Sequence, residues 1–441
     1  MYRQQQFESL LAGKRILIAG YGREGRSTHA LLQRLTADSL ITVAQNDEEI
    51  AAALRQARSE GREYDMVVKS PGIPTMRFKG LCEQESLTSQ TDLFLQVYGD
   101  RTIGITGTKG KSTTASLIHH ILSHGMGEDC HVLLAGNIGI PLFDIAETLD
   151  EKSIVVAELS CHQLENIHRA PHVGVVLNLY EEHLDHYRDY RDYQMAKMQM
   201  MLKQQAGDHC FYCADNETLA LRVEELRPSI ASTLHPYSLH DAEQAEVDRL
   251  QTHLQGDHNR GNIHVAKLVS DLMGVDESLF AQALGTFEGL RHRMERVGTY
   301  CGITFYNDSI STIPQATIAA VETLQKVDTL ILGGYDRGID YNTLCHYLAS
   351  PTQASKCIRN IVFVGKAGKR IYDTLATQYP NSTEGRNLLI EDDYTKIVDW
   401  CFAHTEPGKV CLLSPSAASY DSFKNFEERG DTFCQLIRNH R

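Results

Sequence analysis

Short apolar runs, each ending in glycine or in polar residues, recur along almost the whole chain. They stand at residues 15–19, 40–44, 66–68, 101–105, 153–157 and 172–177, and again at 303–306, 329–332, 361–364 and 410–413. Runs this short that stay apolar rather than alternate predict strands covered on both faces, the habit of parallel sheets. Between them, apolar residues recur at helical spacing: Ala30, Leu31, Leu32 and Leu35; Leu117, Ile118, Ile121 and Leu122; Leu268, Leu272 and Leu279. Residues 193–202 also read as a helix and 258–262 open another, whereas residues 135–139 read as a turn. Strand then helix, repeated, is the pattern of an α/β protein with mostly parallel sheets. No internal repeat or low-complexity tract interrupts it.

The chain has 441 residues, long for one core. Three segments are expected: a Rossmann-like unit over 1–96, a P-loop ATPase-like unit over 97–297, and a second Rossmann-like unit over 298–441, entered through a linker at 287–293. With 42% hydrophobic and 23% charged residues the composition is that of ordinary globular proteins. The net charge of −14 argues against nucleic acid as the main partner, because phosphate backbones are held by clustered Lys and Arg. No apolar run is long enough for a signal peptide or a membrane helix, so a cytosolic protein with no membrane partner is expected. Eleven cysteines, an odd number without framework spacing, predict reduced thiols. Cys210 and Cys213 alternate as strand residues would and lack a second pair at zinc spacing.

The densest chemistry is Gly104-Ile105-Thr106-Gly107-Thr108-Lys109-Gly110-Lys111-Ser112-Thr113-Thr114. Glycines let successive backbone N–H groups turn inward on an anion, Lys111 reaches the β- and γ-phosphates, and the Ser112 hydroxyl suits Mg²⁺. Position 105 is Ile where the strict P-loop has glycine, so this is a variant loop, set between a strand and a helix as such loops are. It is expected to bind ATP. Upstream, Gly20, Gly22 and Gly25 have the spacing that brings a diphosphate to a helix N-terminus, and Asp47 stands about where a ribose-binding acid would. That fingerprint alone also fits a dehydrogenase, but a second phosphate loop about 80 residues later argues against one.

Glu158 caps the 153–157 run, where a magnesium-binding acid is needed opposite Ser112. His183 follows the next strand beside carboxylates and can ligate a metal. Lys197 lies among Met195, Met198, Met200 and Met201, and its plain reading is one lysine snorkelling from a core helix. Asn259 and Asn262 share a helix face, and two amides suit the edge of a purine. In the last segment the strand ends at 307–309, 333–338, 365–366 and 414–419 are polar or glycine-rich, which predicts a third binding surface. Three such segments suggest two substrates joined at the expense of ATP.

Taken together, the motifs 106–113, 136–139, 158–164, 183–185, 258–262 and 307–309, with the tail from Leu413-Ser414-Pro415 to Phe423-Lys424-Asn425-Phe426-Glu427-Glu428-Arg429-Gly430, resemble the Mur ligase family, most of all its glutamate-adding branch. The resemblance covers essentially the whole chain. It implies a monomer that works with ATP and Mg²⁺ in peptidoglycan precursor synthesis. It implies too that UDP-N-acetylmuramoyl-L-alanine is phosphorylated on its carboxylate and that the glutamate amine attacks the acyl phosphate. It further implies that Ser112 and Glu158 hold one Mg²⁺, while His183 and a carbamylated Lys197 serve a second. Lys111, His183 and Lys197 become the catalytic set. Gly107, Thr108, Lys109, Gly110, Lys111, Ser112, Thr113, Asn259, Asn262, Arg293 and Asp308 would hold ATP. Gly20, Gly22, Gly25, Asp47, Ser70, Asn137, Ser160 and Gln163 would hold the UDP-sugar substrate, and Thr312, Arg337, Ser419 and Phe426 the glutamate.

The chain departs from the family pattern at several positions. Lys109 stands where Asn is usual, Cys161 where Ser is common, and Glu182 where Asp often precedes the histidine. Ile310 replaces a lysine found in many D-glutamate-adding enzymes, and Arg337 stands where they carry lysine. A branch that adds L-glutamate therefore stays open beside the D-isomer, as does a non-catalytic nucleotide-binding protein. Folylpolyglutamate synthetase, the nearest enzymatic rival, lacks the unit ahead of the ATP loop.

Overall fold

The computed structural model describes residues 3–35, 40–127, 129–184, 186–240, 247–254, 256–350 and 352–440, apart from the side chains of residues 4, 257 and 258. Among them are sixteen strands in three sheets. The first contains β1 (Arg15–Ala19), β2 (Leu40–Ala44), β3 (Met66–Lys69) and β4 (Leu87–Thr88) in the order β2-β1-β3-β4. The second contains β5 (Thr102–Thr106), β6 (His131–Gly136), β7 (Ser153–Glu158), β8 (Val173–Val176), β9 (His209–Cys213) and β10 (Thr233–Tyr237), ordered β10-β9-β8-β5-β7-β6. The third contains β11 (Glu295–Tyr300), β12 (Ile303–Asn307), β13 (Val327–Gly333), β14 (Asn360–Val364), β15 (Asn387–Ile390) and β16 (Val410–Leu413), ordered β11-β12-β16-β13-β14-β15. Every pairing is parallel except β11 with β12. The predicted α/β class with mostly parallel sheets is the observed one.

Apart from β2, which lies at an edge, the apolar runs became interior strands, because parallel strands are covered on both faces. Every residue of β3, β5, β8, β13, β14 and β16 is buried. Strands β4, β6, β10, β11 and β15 were not read as apolar runs. The first has only two residues, and the other four lie at sheet edges, where polar residues and Pro236 are tolerated.

Two expectations need correction. Ala135 and Gly136 end strand β6 rather than belonging to a turn, and the chain reverses only after them, with Gly136 N donating to Ile140 O. Leu272 and Leu279 lie on two different helices and are 38% and 37% exposed, outside the core, while Ile263, Val265, Ala266 and Val269 form the buried face of the Asp257–Leu272 helix.

The chain divides into two compact units, residues 1–253 with 257–287, and residues 254–256 with 288–441. The helix Gln90–Tyr98 runs through residue 96, and β11 begins ahead of Gly298. In the first unit, the first two sheets share one core in which Phe7, Phe94, Tyr98 and Phe143 meet edge-on or tilted. A buried ion pair, Lys69 to Glu165 at 3.0 Å, and a hydrogen bond from Ser27 Oγ to Asp144 at 2.5 Å tie them further. In the second unit the third sheet buries both faces, with Leu330 and Leu332 of β13 in one core and Ile331 in the other. No helix among the described residues is long and apolar enough to cross a membrane.

Gly333 ends β13 with φ +107°, and a Cβ there would stand 2.1 Å from Val364 O. Gly333→Ala combines backbone strain with a clash and is expected to destabilise the protein by about 3 kcal/mol, read as a lowered Tm. An unchanged Tm would show that this strand crossing is not tight.

Candidate active site

Strand β5 runs into the loop 107–110, and the helix Lys111–Gly125 starts at once. The loop needs its glycines: Gly110 has φ +87°, and a Cβ there would lie 2.7 Å from Asn262 Oδ1. The end of β8 pins the loop in place. Thr108 N donates to Asn178 O at 3.0 Å, Lys109 N donates to Asn178 Oδ1 at 2.8 Å, and Asn178 Nδ2 donates to Lys109 O at 3.1 Å. Thr108 Oγ1 accepts from Tyr180 N at 2.9 Å and lies 2.8 Å from Tyr193 OH. Thr108 and Lys109 thus spend their N–H groups on Asn178, and the N-terminus of the following helix is what the loop offers an anion. Ser112 and Thr113 occupy the first turn of that helix. Asn262 Nδ2 donates to Asn259 Oδ1 at 3.0 Å, so the two amides share a face as the spacing predicts.

Two lysines converge on one carbonyl. Lys111 Nζ donates to Gly107 O and to Thr108 O, both at 3.0 Å, and Lys197 Nζ donates to the same Gly107 O at 2.8 Å. Lys197 is only 1% exposed and lies 5.0 Å over the Tyr193 ring, so it does not snorkel. Burial, aided by the Lys111 charge, pulls its ammonium down to about 7, against the pull of Glu158 and Glu182.

Glu158 ends β7, paired with β5 at Ile105, so its carboxylate opens on the same sheet edge as the loop. It is 1% exposed; Oε1 accepts from Asn137 Nδ2 at 2.7 Å, and Oε2 is enclosed without a hydrogen-bond partner. A bare buried carboxylate oxygen is costly unless a cation meets it. It fits Mg²⁺, which takes one or two carboxylates and fills its shell with phosphate oxygens and water. No group of three or more His, Cys, Asp or Glu is gathered for a metal among the described residues, so the ion would depend on the nucleotide. His183 has φ +59°, unusual outside glycine, with its ring centroid 4.9 Å from that of His162 and 5.9 Å from that of Tyr193. Asp185 and the side chain of His258 lie outside the described residues.

At the first sheet, Ser70 Oγ donates to Gly20 O at 3.1 Å. A Cβ at Gly20 would meet Ser70 Oγ at 2.7 Å, and one at Gly25 would meet Gly20 O at 2.2 Å, whereas Gly22 has open space. Asp47 is exposed, in the first turn of the helix Asp47–Ser59, and pairs with Arg77. Ser160 and Gln163 form a capping box: Ser160 N donates to Gln163 Oε1 and Gln163 N to Ser160 Oγ. Gln163 Nε2 then donates to Glu24 Oε1 at 2.7 Å. Both ends of Gln163, and the Asn137 amide, are thus engaged inside the protein.

In the second unit, Asp308 is 3% exposed and accepts from Met294 N, Ser311 Oγ and Ser414 Oγ; burial pushes its carboxyl up to about 6. The exposed Arg337 donates from Nη2 to Thr312 O at 3.4 Å, which brings those two predicted residues together. Ser419 is buried, Phe426 starts the helix Phe426–Asn439, and Arg293 is exposed ahead of β11.

Sequence reading missed Asn178, Tyr193, Lys69, Glu165 and Glu24. Only Asn178, an amide at a strand end, carried a signal. Glu24 sits in the first turn of the helix Arg23–Leu35 with Oε2 enclosed and unpartnered, its carboxyl raised by burial despite the Gln163 hydrogen bond. Glu158→Gln keeps the Asn137 hydrogen bond while removing the charge. Mg²⁺-dependent ATP affinity should fall about 10–100-fold with Tm little changed, measured by calorimetric titration across Mg²⁺ concentrations. An unaltered Mg²⁺ dependence would remove Glu158 from the metal site.

The Mur ligase middle domain matches residues 105–278, and the Mur ligase, glutamate ligase domain matches 292–417. The chain is 32% identical to a protein of Desulfitobacterium hafniense named UDP-N-acetylmuramoylalanine--D-glutamate ligase, with 98% of each chain covered. It is 30% identical to a Bacillus cereus protein of the same name, over 96% of this chain and 97% of that one. Among solved structures, MurF from Acinetobacter baumannii shares the fold with a TM-score of 0.60 at 13% identity, covering 99% of this chain and 98% of that one. MurF from Thermotoga maritima, in complex with ADP, does so with a TM-score of 0.56 at 15% identity over 98% and 97%. On motifs, fold and near full-length similarity alike, the chain belongs to the Mur ligase family.

Proposed function

We propose that the protein is a monomeric cytoplasmic ligase that uses ATP and Mg²⁺ to join glutamate, the D-isomer favoured, to UDP-N-acetylmuramoyl-L-alanine in peptidoglycan precursor synthesis. Residues 1–96 take the UDP-sugar substrate, 97–297 the ATP and 298–441 the amino acid. The observation that carries the reading is the glycine loop whose Gly107 carbonyl receives Lys111 and Lys197, on the sheet edge where Glu158 keeps a bare carboxylate oxygen. The names of the similar D-glutamate ligases support the acceptor.

The chemistry runs in two displacements. An oxygen of the substrate carboxylate attacks the γ-phosphorus, and the bond to the bridging oxygen breaks, leaving ADP and an acyl phosphate. The glutamate amine then attacks the acyl carbon, loses a proton, and phosphate departs as the amide forms. The helix N-terminus after the loop and Lys111 stabilise charge on the transferring phosphoryl group, which is most of what such a transfer needs. When bound, Mg²⁺ supplies further charge neutralisation on the phosphates. Phosphate release should appear only with ATP, Mg²⁺ and UDP-N-acetylmuramoyl-L-alanine present together, and faster with D- than with L-glutamate. Release with neither isomer would refute the ligase reading, and release with L-glutamate alone would reassign the isomer.

Lys197 serves as a carbamate. Carbon dioxide adds only to a neutral amine, and this amine is buried with a pKa of about 7, so it loses its proton as pH rises through 7. With ¹³C-bicarbonate, a carbamate resonance should therefore grow between pH 6 and pH 8 and be missing from Lys197→Ala. Identical spectra for the two proteins would eliminate the carbamate.

A further inference from the structure

The tail motif contains a buried cation that the reaction scheme leaves unused. Arg429, on the helix Phe426–Asn439, is 1% exposed and is the bulkiest fully enclosed side chain among the described residues. Its Nε donates to Ser309 Oγ at 2.9 Å, Nη1 to Ala418 O at 3.1 Å, and Nη2 to Ser309 O at 2.7 Å and Ala417 O at 3.0 Å. All these acceptors are neutral, and Asp421 acts on the charge only at longer range. Burial alone would favour a neutral side chain here, since an apolar residue of similar volume usually packs as stably as a buried ion.

The arrangement explains why a cation is kept. Ser309 follows β12, and its Oγ donates to Phe426 O at 2.8 Å. Ala417 and Ala418 belong to the loop after β16, which leads into Ser419. The loop after β13 leans on the same segment, with Gly333 N donating to Pro415 O at 2.7 Å and Tyr335 N to Ala418 O at 2.9 Å. One guanidinium thus ties two strand-end loops to the last helix, using a planar fork that a lysine cannot reproduce, and the loop after β13 rests on one of them through its backbone. The next residue fits the same logic: a Cβ on Gly430 would lie 2.2 Å from His292 Nδ1 and 2.9 Å from Asn307 Nδ2, so only glycine lets the helix come this close.

We propose that Arg429 is the positioning residue of the amino-acid pocket, fixing the loops that carry Ser419 and Phe426 and holding a permanent positive charge beneath the site that receives a dicarboxylate. The dicarboxylate part rests on the ligase reading above, while the clamp does not.

The test uses the full-length enzyme, Arg429→Lys and Ser309→Ala, the second removing the Nε acceptor together with the Ser309 Oγ bond to Phe426 O while leaving the three carbonyl acceptors of the guanidinium in place. Hydrogen–deuterium exchange should rise in residues 414–420 and 333–337 of both variants and stay unchanged in the loop 107–110. The KM for glutamate should rise about tenfold or more in Arg429→Lys, and less in Ser309→Ala, with KM for ATP and for the UDP-sugar substrate held within about twofold. Unchanged exchange in those loops overturns the clamp, even if the wild-type enzyme proves inactive with glutamate. Equal loss across all three KM values, or none for glutamate, overturns the pocket assignment. If Arg429→Lys does not fold, Ser309→Ala decides on the same two readouts.

Discussion

A single carbonyl oxygen, that of Gly107, accepts hydrogen bonds from two ammonium groups, and much of the first unit is arranged so that it can. Two cations brought to one acceptor in a water-poor place repel each other, and the enclosed one gives way. Burial and the Lys111 charge therefore weaken the hold of Lys197 on its proton, while Lys111 keeps a flexible stem with which to follow a phosphate. The peptide can face both lysines only because Gly107 sits at φ +152°, with its Cα pressed against Leu177 so closely that a Cβ would come within 2.9 Å. Loop shape, cation placement and a perturbed lysine are thus consequences of one backbone geometry.

The polar residues around that loop mostly serve one another. Asn137 orients Glu158, Ser160 and Gln163 close a capping box, and Gln163 reaches Glu24 on the first sheet. Lys69 meets Glu165, which also bonds Thr75 and His186, in a network that joins the first two sheets where solvent is scarce. Such networks are worth most when every member is satisfied, because an unpaired group in a low dielectric is expensive. Among the enclosed oxygens left without a partner in the described residues are two of carboxylates, Oε2 of Glu158 and Oε2 of Glu24, where the cost of burial is greatest.

The second unit solves a similar problem with hydroxyls and a guanidinium. Asp308 is enclosed at the end of β12, where Ser311 and Ser414 donate to it and offset part of the cost of burial. One residue further on, Ser309 is held twice by Arg429. The polar strand ends visible in the sequence are bound to each other before any ligand is considered, which makes that rim rigid.

By itself the sequence determined the class, the central strands and the phosphate loop, because these rest on local rules: apolar runs for strands covered on both faces, glycine where φ is positive, a lysine and a hydroxyl at fixed offsets. Edge strands such as β11 and β15 escaped, since an edge needs no apolar run, and the stripe Leu268, Leu272, Leu279 misled, since spacing cannot say which face of a helix meets the core. Only the tertiary structure decided that Lys197 is enclosed rather than snorkelling, that Asn178 and Tyr193 hold the loop, that Gln163 is spent on Glu24, and that Arg429 ties two strand-end loops to the last helix. Each of these depends on residues far apart in the chain meeting at one point. Burial and electrostatics are set by that meeting, not by the identity of any residue alone.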